Sequence, residues 1–75
     1  MKPYKNINGN SGVIKYEVGD DFIRVQFSTG AIYSYTYDSA GESNIEHMKM
    51  LAQKGSGLNS FINTTVRDLY ARKER

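Results

Sequence analysis

The chain has 75 residues, 10 basic against 8 acidic side chains for a formal net charge of +2, and no cysteine. That length allows one domain with a modest core, and the absence of thiols excludes disulfide staples and thiolate metal sites. The charge excess is too mild to indicate nucleic acid by itself, and no apolar run is long enough to cross a bilayer.

Residues 1–11 read as a flexible N-terminal arm, because Asn6, Asn8, Gly9, Asn10 and Ser11 favour turns and resist regular pairing. The arm carries Lys2 and Lys5 but no apolar segment behind them, so it is not expected to be a signal peptide. Strand patterning then begins: Ile14, Tyr16 and Val18 alternate with Lys15 and Glu17. Gly19-Asp20 reads as a hairpin turn, setting Val18 opposite Asp21, Tyr16 opposite Ile23 and Ile14 opposite Val25. Ile23, Val25 and Phe27 alternate with Arg24 and Gln26 in a second strand.

The next turn decides where the tyrosines of the third strand point. A Thr29-Gly30 loop would need positive φ at a β-branched threonine, whereas Ser28-Thr29-Gly30 needs it only at glycine. The longer loop places Phe27 opposite Ala31, Val25 opposite Tyr33 and Ile23 opposite Tyr35. Tyr33 and Tyr35 then share a face with Ile23 and Val25. Lys15, Glu17, Arg24, Gln26, Ser34 and Thr36 form the opposite, polar face.

Ser43 followed by Glu46 has the capping-box pattern, with Ser39 and Glu42 as a second candidate start. Ile45, Met48, Leu51 and Ala52 follow at helical spacing, and Gly55 is placed as the C-terminal cap. A second helix is expected from near Ser56, with Leu58, Phe61, Ile62, Val66, Leu69 and Tyr70 as its apolar stripe. In such a helix Asp68 and Arg72 pair one turn apart, and Arg72, Lys73 and Arg75 sit at the negative end of the dipole. The expected fold is α+β: a three-stranded antiparallel meander followed by two helices packed on one sheet face.

Gly30 with Tyr33-Ser34-Tyr35, then Gly57-Leu58-Asn59-Ser60-Phe61-Ile62-Asn63 and a helix ending at Tyr70, resembles the KTSC domain. That family is named for the C-terminus of some lysyl-tRNA synthetases and also occurs as small free-standing bacterial and phage proteins. The resemblance runs from about Ser11 to Tyr70 and marks 12–73 as a single KTSC-like domain. It departs at Asp38-Ser39-Ala40-Gly41, where members often carry a Val-Pro step, which leaves the start of the first helix open. The resemblance implies no established activity, and its synthetase association suggests RNA by analogy. Its motif residues here are Gly30, Tyr33, Tyr35, Gly57, Phe61, Asn63 and Tyr70, for which structural roles are expected.

Alternating tyrosines can stack bases, but the register makes Tyr33 and Tyr35 a floor for the helices and leaves Tyr37 as the exposed one. Lys15 and Arg24 offer charge to a phosphate backbone, although Glu17 shares their face. Arg67, Arg72, Lys73 and Arg75, joined by Lys2 and Lys5 of the arm, form the stronger basic cluster. Gly55-Ser56-Gly57 follows a helix and lacks the lysine of a phosphate loop, so it reads as a helix–helix turn. Asn63-Thr64-Thr65 fits a glycosylation pattern by chance.

His47 is the one histidine, and Asp20 and Asp21 diverge in a turn, so neither catalysis, a metal nor a cofactor is expected. The expectation is a non-enzymatic accessory domain, cytoplasmic and without a membrane partner, that contacts RNA or DNA. Lys15, Arg24, Tyr37, Arg67, Arg72 and Lys73 are its candidate contacts. The alternative is a protein–protein interaction or homodimerisation module, since Met50, Phe22, Tyr37 and Tyr4 fall outside the expected core.

Overall fold

Alternating side chains carry the chain back and forth across an antiparallel sheet before the first helix forms. The computed structural model describes residues 1–7 and 12–75; the turn-rich stretch 8–11 lies outside them. The strands are β1 (Lys2–Pro3), β2 (Val13–Val18), β3 (Phe22–Phe27), β4 (Ile32–Thr36) and β5 (Arg72–Lys73), hydrogen-bonded in that spatial order. The fold is therefore α+β with a 5-stranded antiparallel sheet rather than a three-stranded one. Both additions are short edge strands, one from each end of the chain.

The first hairpin closes differently from the expectation. Val18 faces Ile23 and Tyr16 faces Val25, and the Gly19 N–H donates to the Phe22 carbonyl at 3.0 Å, so the turn centres on Asp20-Asp21. Contacts from outside the hairpin hold it there. Lys49 donates to the Asp20 carbonyl at 2.9 Å and the Tyr37 N–H to the Asp21 carbonyl at 3.0 Å. The Phe22 ring lies across Gly19, where a Cβ would come within 1.9 Å of it. The slip is by an even number of residues, so Tyr16 keeps its inward face.

A bulge between Val13 and Lys15 makes Ile14 the extra residue. Val13 points into the core and Ile14 out, at 0% and 40% exposure, so Ile14 does not oppose Val25. The second hairpin has the expected register: Ile23 opposes Tyr35 and Val25 opposes Tyr33. Gly30 adopts φ +94°, and its N–H donates to the Phe27 carbonyl at 2.8 Å.

β4 runs directly into α1 (Tyr37–Ala40). Thr36 is the N-cap: its hydroxyl accepts the Ser39 N–H at 3.1 Å, and the Ser39 hydroxyl accepts the Thr36 N–H at 3.0 Å. Neither Ser39 nor Ser43 is the N-cap expected of it; Ser39 is the third residue of the capping box. Gly41 separates α1 from α2 (Glu42–Lys54), which buries Ile45, Met48 and Ala52. Gly55 ends α2 in the left-handed region, with its N–H donating to the Leu51 carbonyl at 2.9 Å.

α3 (Leu58–Phe61) continues as a π-helical turn, Ile62–Val66, and stops there. Thr64, Thr65 and Val66 are β-branched, and the Thr64 hydroxyl donates back to the Ser60 carbonyl at 2.8 Å, both unfavourable to a longer helix. The helix does not reach Tyr70. Leu69 and Tyr70 are each 40% exposed, Asp68 and Arg72 make no helical pair, and Arg72 and Lys73 lie on a strand.

The arm is not loose where it is described. Tyr4 is 6% exposed and its N–H donates to the Ile14 carbonyl at 2.9 Å, while the Ile7 N–H donates to the Gly55 carbonyl at 2.8 Å. Tyr4 therefore belongs to the core, contrary to expectation. That core also holds Val13, Tyr16, Ile23, Val25, Tyr35, Ile45, Met48, Leu58, Ile62 and Val66 in one cluster. Each fully buried aliphatic chain of this kind contributes about 1.5–3 kcal/mol. Among the described residues no helix is long and apolar enough to cross a membrane.

Candidate functional site

The polar sheet face is knitted together by charge. Arg24 lies opposite both Glu17 and Ser34, and its guanidinium donates to the Glu74 carboxylate at 3.1 and 2.7 Å while also pairing with Glu17. The Ser34 hydroxyl donates to Glu74 as well. Hydrogen bonds from Arg24 and then Ser34 lower the Glu74 pKa, and Glu74 and Glu17 raise that of Arg24. Arg24 is therefore matched by two carboxylates rather than open to a phosphate. Arg72, across from Ser34, adds its charge near Glu74, and Lys15 is exposed on the strand that carries Glu17.

Tyr37, expected to be the exposed aromatic, is half-buried. Its hydroxyl donates to Glu46 at 2.6 Å, and the Lys49 ammonium stands 5.6 Å from its ring centroid. The Glu46 hydrogen bond pushes its pKa up to about 12. Lys2 and Lys5 do not join the C-terminal basic residues either. β1 and β5 are opposite edges of the sheet.

What the fold does bring together is an aromatic cleft of about 450 Å³ between the Ser28-Thr29 turn, β4 and the segment after α3. Tyr33 is one of its lining residues. The Phe27 and Tyr70 rings meet it edge-to-face at centroid distances of 5.7 and 4.9 Å, and the Lys73 ammonium lies 5.9 Å from its ring centroid. Such ring pairs contribute about 0.5–1.5 kcal/mol beyond simple burial.

Tyr35 forms the floor at 1% exposure, and burial, followed by the nearby Tyr33 and Tyr70, pushes its pKa up to about 12. Its hydroxyl makes no hydrogen bond among the described residues, yet no fully buried side-chain polar atom among them lacks a partner. The hydroxyl therefore keeps some exposure, and Tyr35 is one of the residues that line the cleft.

Asn63, Arg67 and Asp68 line the same cleft, exposed, and their side chains make no hydrogen bond or ion pair to other described residues. Of the motif residues, Tyr33, Tyr35, Asn63 and Tyr70 converge here. Gly30 and Gly57 supply left-handed backbone at a turn and before α3, and Phe61 packs against His47 with rings 4.7 Å apart. Phe27 and Asp68 are cleft residues that the sequence pattern does not mark as such. The signal that points to Phe27 is its place at the mouth of the Ser28-Thr29-Gly30 turn. Comparison with known proteins finds no matching family model, no matching curated protein and no matching solved structure.

Proposed function

We propose that the chain is a non-enzymatic binding module that takes up RNA or DNA in the aromatic cleft. The observation that carries this reading is the Tyr33–Tyr70 ring pair at 4.9 Å with Arg67 on the cleft wall and Lys73 over Tyr33. Aromatic rings in such a cleft stack bases, at about 1–3 kcal/mol per base, and flanking cations meet the phosphates. The KTSC resemblance supports the reading because four of its motif residues, Tyr33, Tyr35, Asn63 and Tyr70, lie at the cleft. Membership of that family and a cytoplasmic location are parts of the same proposal. Lys15, Arg24, Tyr37 and Arg72 are left out of the contact set, and Arg67, Lys73 and Tyr70 carry it.

Fluorescence anisotropy with short labelled RNA and DNA strands at several salt concentrations tests it. Binding that weakens with salt is expected, and replacing Arg67 or Lys73 with alanine lowers the salt slope by about 1 for each phosphate no longer neutralised. Tyr70→Ala lowers affinity, and Lys15→Ala leaves it unchanged. Absence of binding at low salt overturns the proposal.

A second reading, a protein–protein or homodimerisation module, draws on Leu69 and Tyr70, each 40% exposed beside the edge strand β5. Light scattering across concentration decides it: a strict monomer at every concentration removes the homodimer.

A further inference from the structure

On the reading that the cleft binds nucleic acid, we infer that it is built for one unpaired guanine base within a single strand. At about 450 Å³ the cleft sits in the lower part of the size range of small-molecule pockets, roughly 300–1,000 Å³. Phe27, Tyr33 and Tyr70 line it, the Phe27 and Tyr70 rings packed edge-to-face with Tyr33, and an aromatic lining of this kind suits a flat aromatic ligand.

Polar groups without protein partners specify the edge of that ligand. Tyr35 is 1% exposed and lines the cleft, and its hydroxyl has no partner among the described residues, so a planar ligand that covers it must bring it a polar atom. Asp68 presents a carboxylate, which only accepts hydrogen bonds, and Asn63 presents an amide, which does both.

A carboxylate is matched by two adjacent N–H donors. Guanine alone offers that pair on its Watson–Crick edge, from the ring N–H and the neighbouring amino group. Adenine and cytosine set an amino group beside an acceptor, and uracil sets its N–H between two carbonyls. Asp68 takes the two guanine donors, the Tyr35 hydroxyl donates to the guanine carbonyl, and Asn63 completes the rim. The edge so read is the one used in base pairing, so the base must be unpaired. Arg67 and Lys73 then face the phosphates to either side of it.

The test compares RNA hexamers of uridine, of uridine with one central guanosine, and of uridine with one central adenosine, with the DNA equivalents alongside. Guanosine is expected to tighten binding by about tenfold, within the range of one good bidentate contact. Adenosine gives no such gain, and annealing the guanosine hexamer to its complement removes it. Asp68→Asn abolishes the preference while retaining salt-dependent binding to the uridine hexamer. Tyr35→Phe, with folding checked by circular dichroism, weakens the guanosine strand selectively. Equal affinity for the three hexamers, or a preference that survives Asp68→Asn, overturns the inference and leaves the nucleic-acid reading standing. If no hexamer binds at low salt, the nucleic-acid reading fails and this inference with it.

Discussion

The hydroxyl of Tyr4 accepts the backbone N–H of Leu58 at 3.3 Å, joining residues 54 positions apart. Leu58 opens α3, so its N–H has no partner within that helix, and at 0% exposure it has no water either. The segment before β2 thereby supplies a cap that the Gly57 N-cap, having no side chain, does not. Tyr4→Phe keeps the ring and strands the buried donor, at a cost of about 1–3 kcal/mol. Urea unfolding measures it directly. An unchanged midpoint would mean that the hydroxyl contributes nothing to the cap.

Gly55 and Gly30 share positive φ, +86° and +94°, but differ in their surroundings. A Cβ on Gly55 would stand 2.6 Å from the Cβ of Lys5, whereas one on Gly30 meets nothing within 4 Å. Gly30→Ala is expected to cost only the left-handed backbone penalty, roughly 1–2 kcal/mol. Gly55→Ala costs more, because it also pushes away the segment that donates from the Ile7 N–H to the Gly55 carbonyl. Thermal unfolding of the two variants side by side ranks them. Equal losses would remove the steric contribution.

Glu74 tethers β5 to the sheet through Arg24 and Ser34, and those hydrogen bonds hold its pKa below the ordinary carboxylate value. A depressed folded pKa means that the tether stabilises fully above the unfolded value, about 4.3, and is lost as pH falls through the folded one. Acidification through that window is expected to lower the protection of the Ala71 and Glu74 amides, measured relative to the intrinsic exchange rate at each pH, since their N–H groups donate to Ser34 and Ile32. Glu74→Gln shows fast exchange already at neutral pH. Protection that is flat with pH in the parent chain would contradict the tether.

Tyr35 and Tyr37 are pushed up to about 12 for different reasons, burial in one case and the Glu46 hydrogen bond in the other. A raised phenol pKa contributes stability that is complete below the unfolded value, about 10, and disappears as pH rises through the folded one. Stability therefore falls between pH of about 10 and about 12. In an ultraviolet phenolate titration, Tyr37→Phe and Tyr35→Phe each remove one late-ionising group. Glu46→Gln moves the Tyr37 transition toward the ordinary value and leaves that of Tyr35 in place. A Tyr37 transition unmoved by Glu46→Gln would refute the carboxylate as its cause.

The residues that converge on the cleft show why only part of it is legible in the sequence. Tyr33 and Tyr35 follow from the turn before them, since Gly30 takes the positive φ and sets them opposite Val25 and Ile23. For Arg67, Asp68 and Tyr70 the apolar spacing carries on past Val66 and predicts helix. Their true positions depend on where that helix stops. Polar and glycine residues follow Tyr4 and argue against a core position, and chain composition carries no information about which distant donor a hydroxyl will meet.

By itself the sequence determined the elements whose chemistry is local: the Ser28-Thr29-Gly30 turn with its register, the Ile45–Met48–Ala52 stripe and the Gly55 cap. Each depends on residues within a turn or two, where sterics and side-chain period leave few alternatives. Only the tertiary structure decided the two ends of the chain. The β-branched run at Thr64–Val66 makes further helix weak, while the edge of β4 offers backbone partners and Glu74 reaches Arg24 from 50 positions away. Those long-range bonds outweigh helical spacing for residues beyond Val66, and by turning the chain back along β4 they bring Tyr70 and Lys73 to Tyr33.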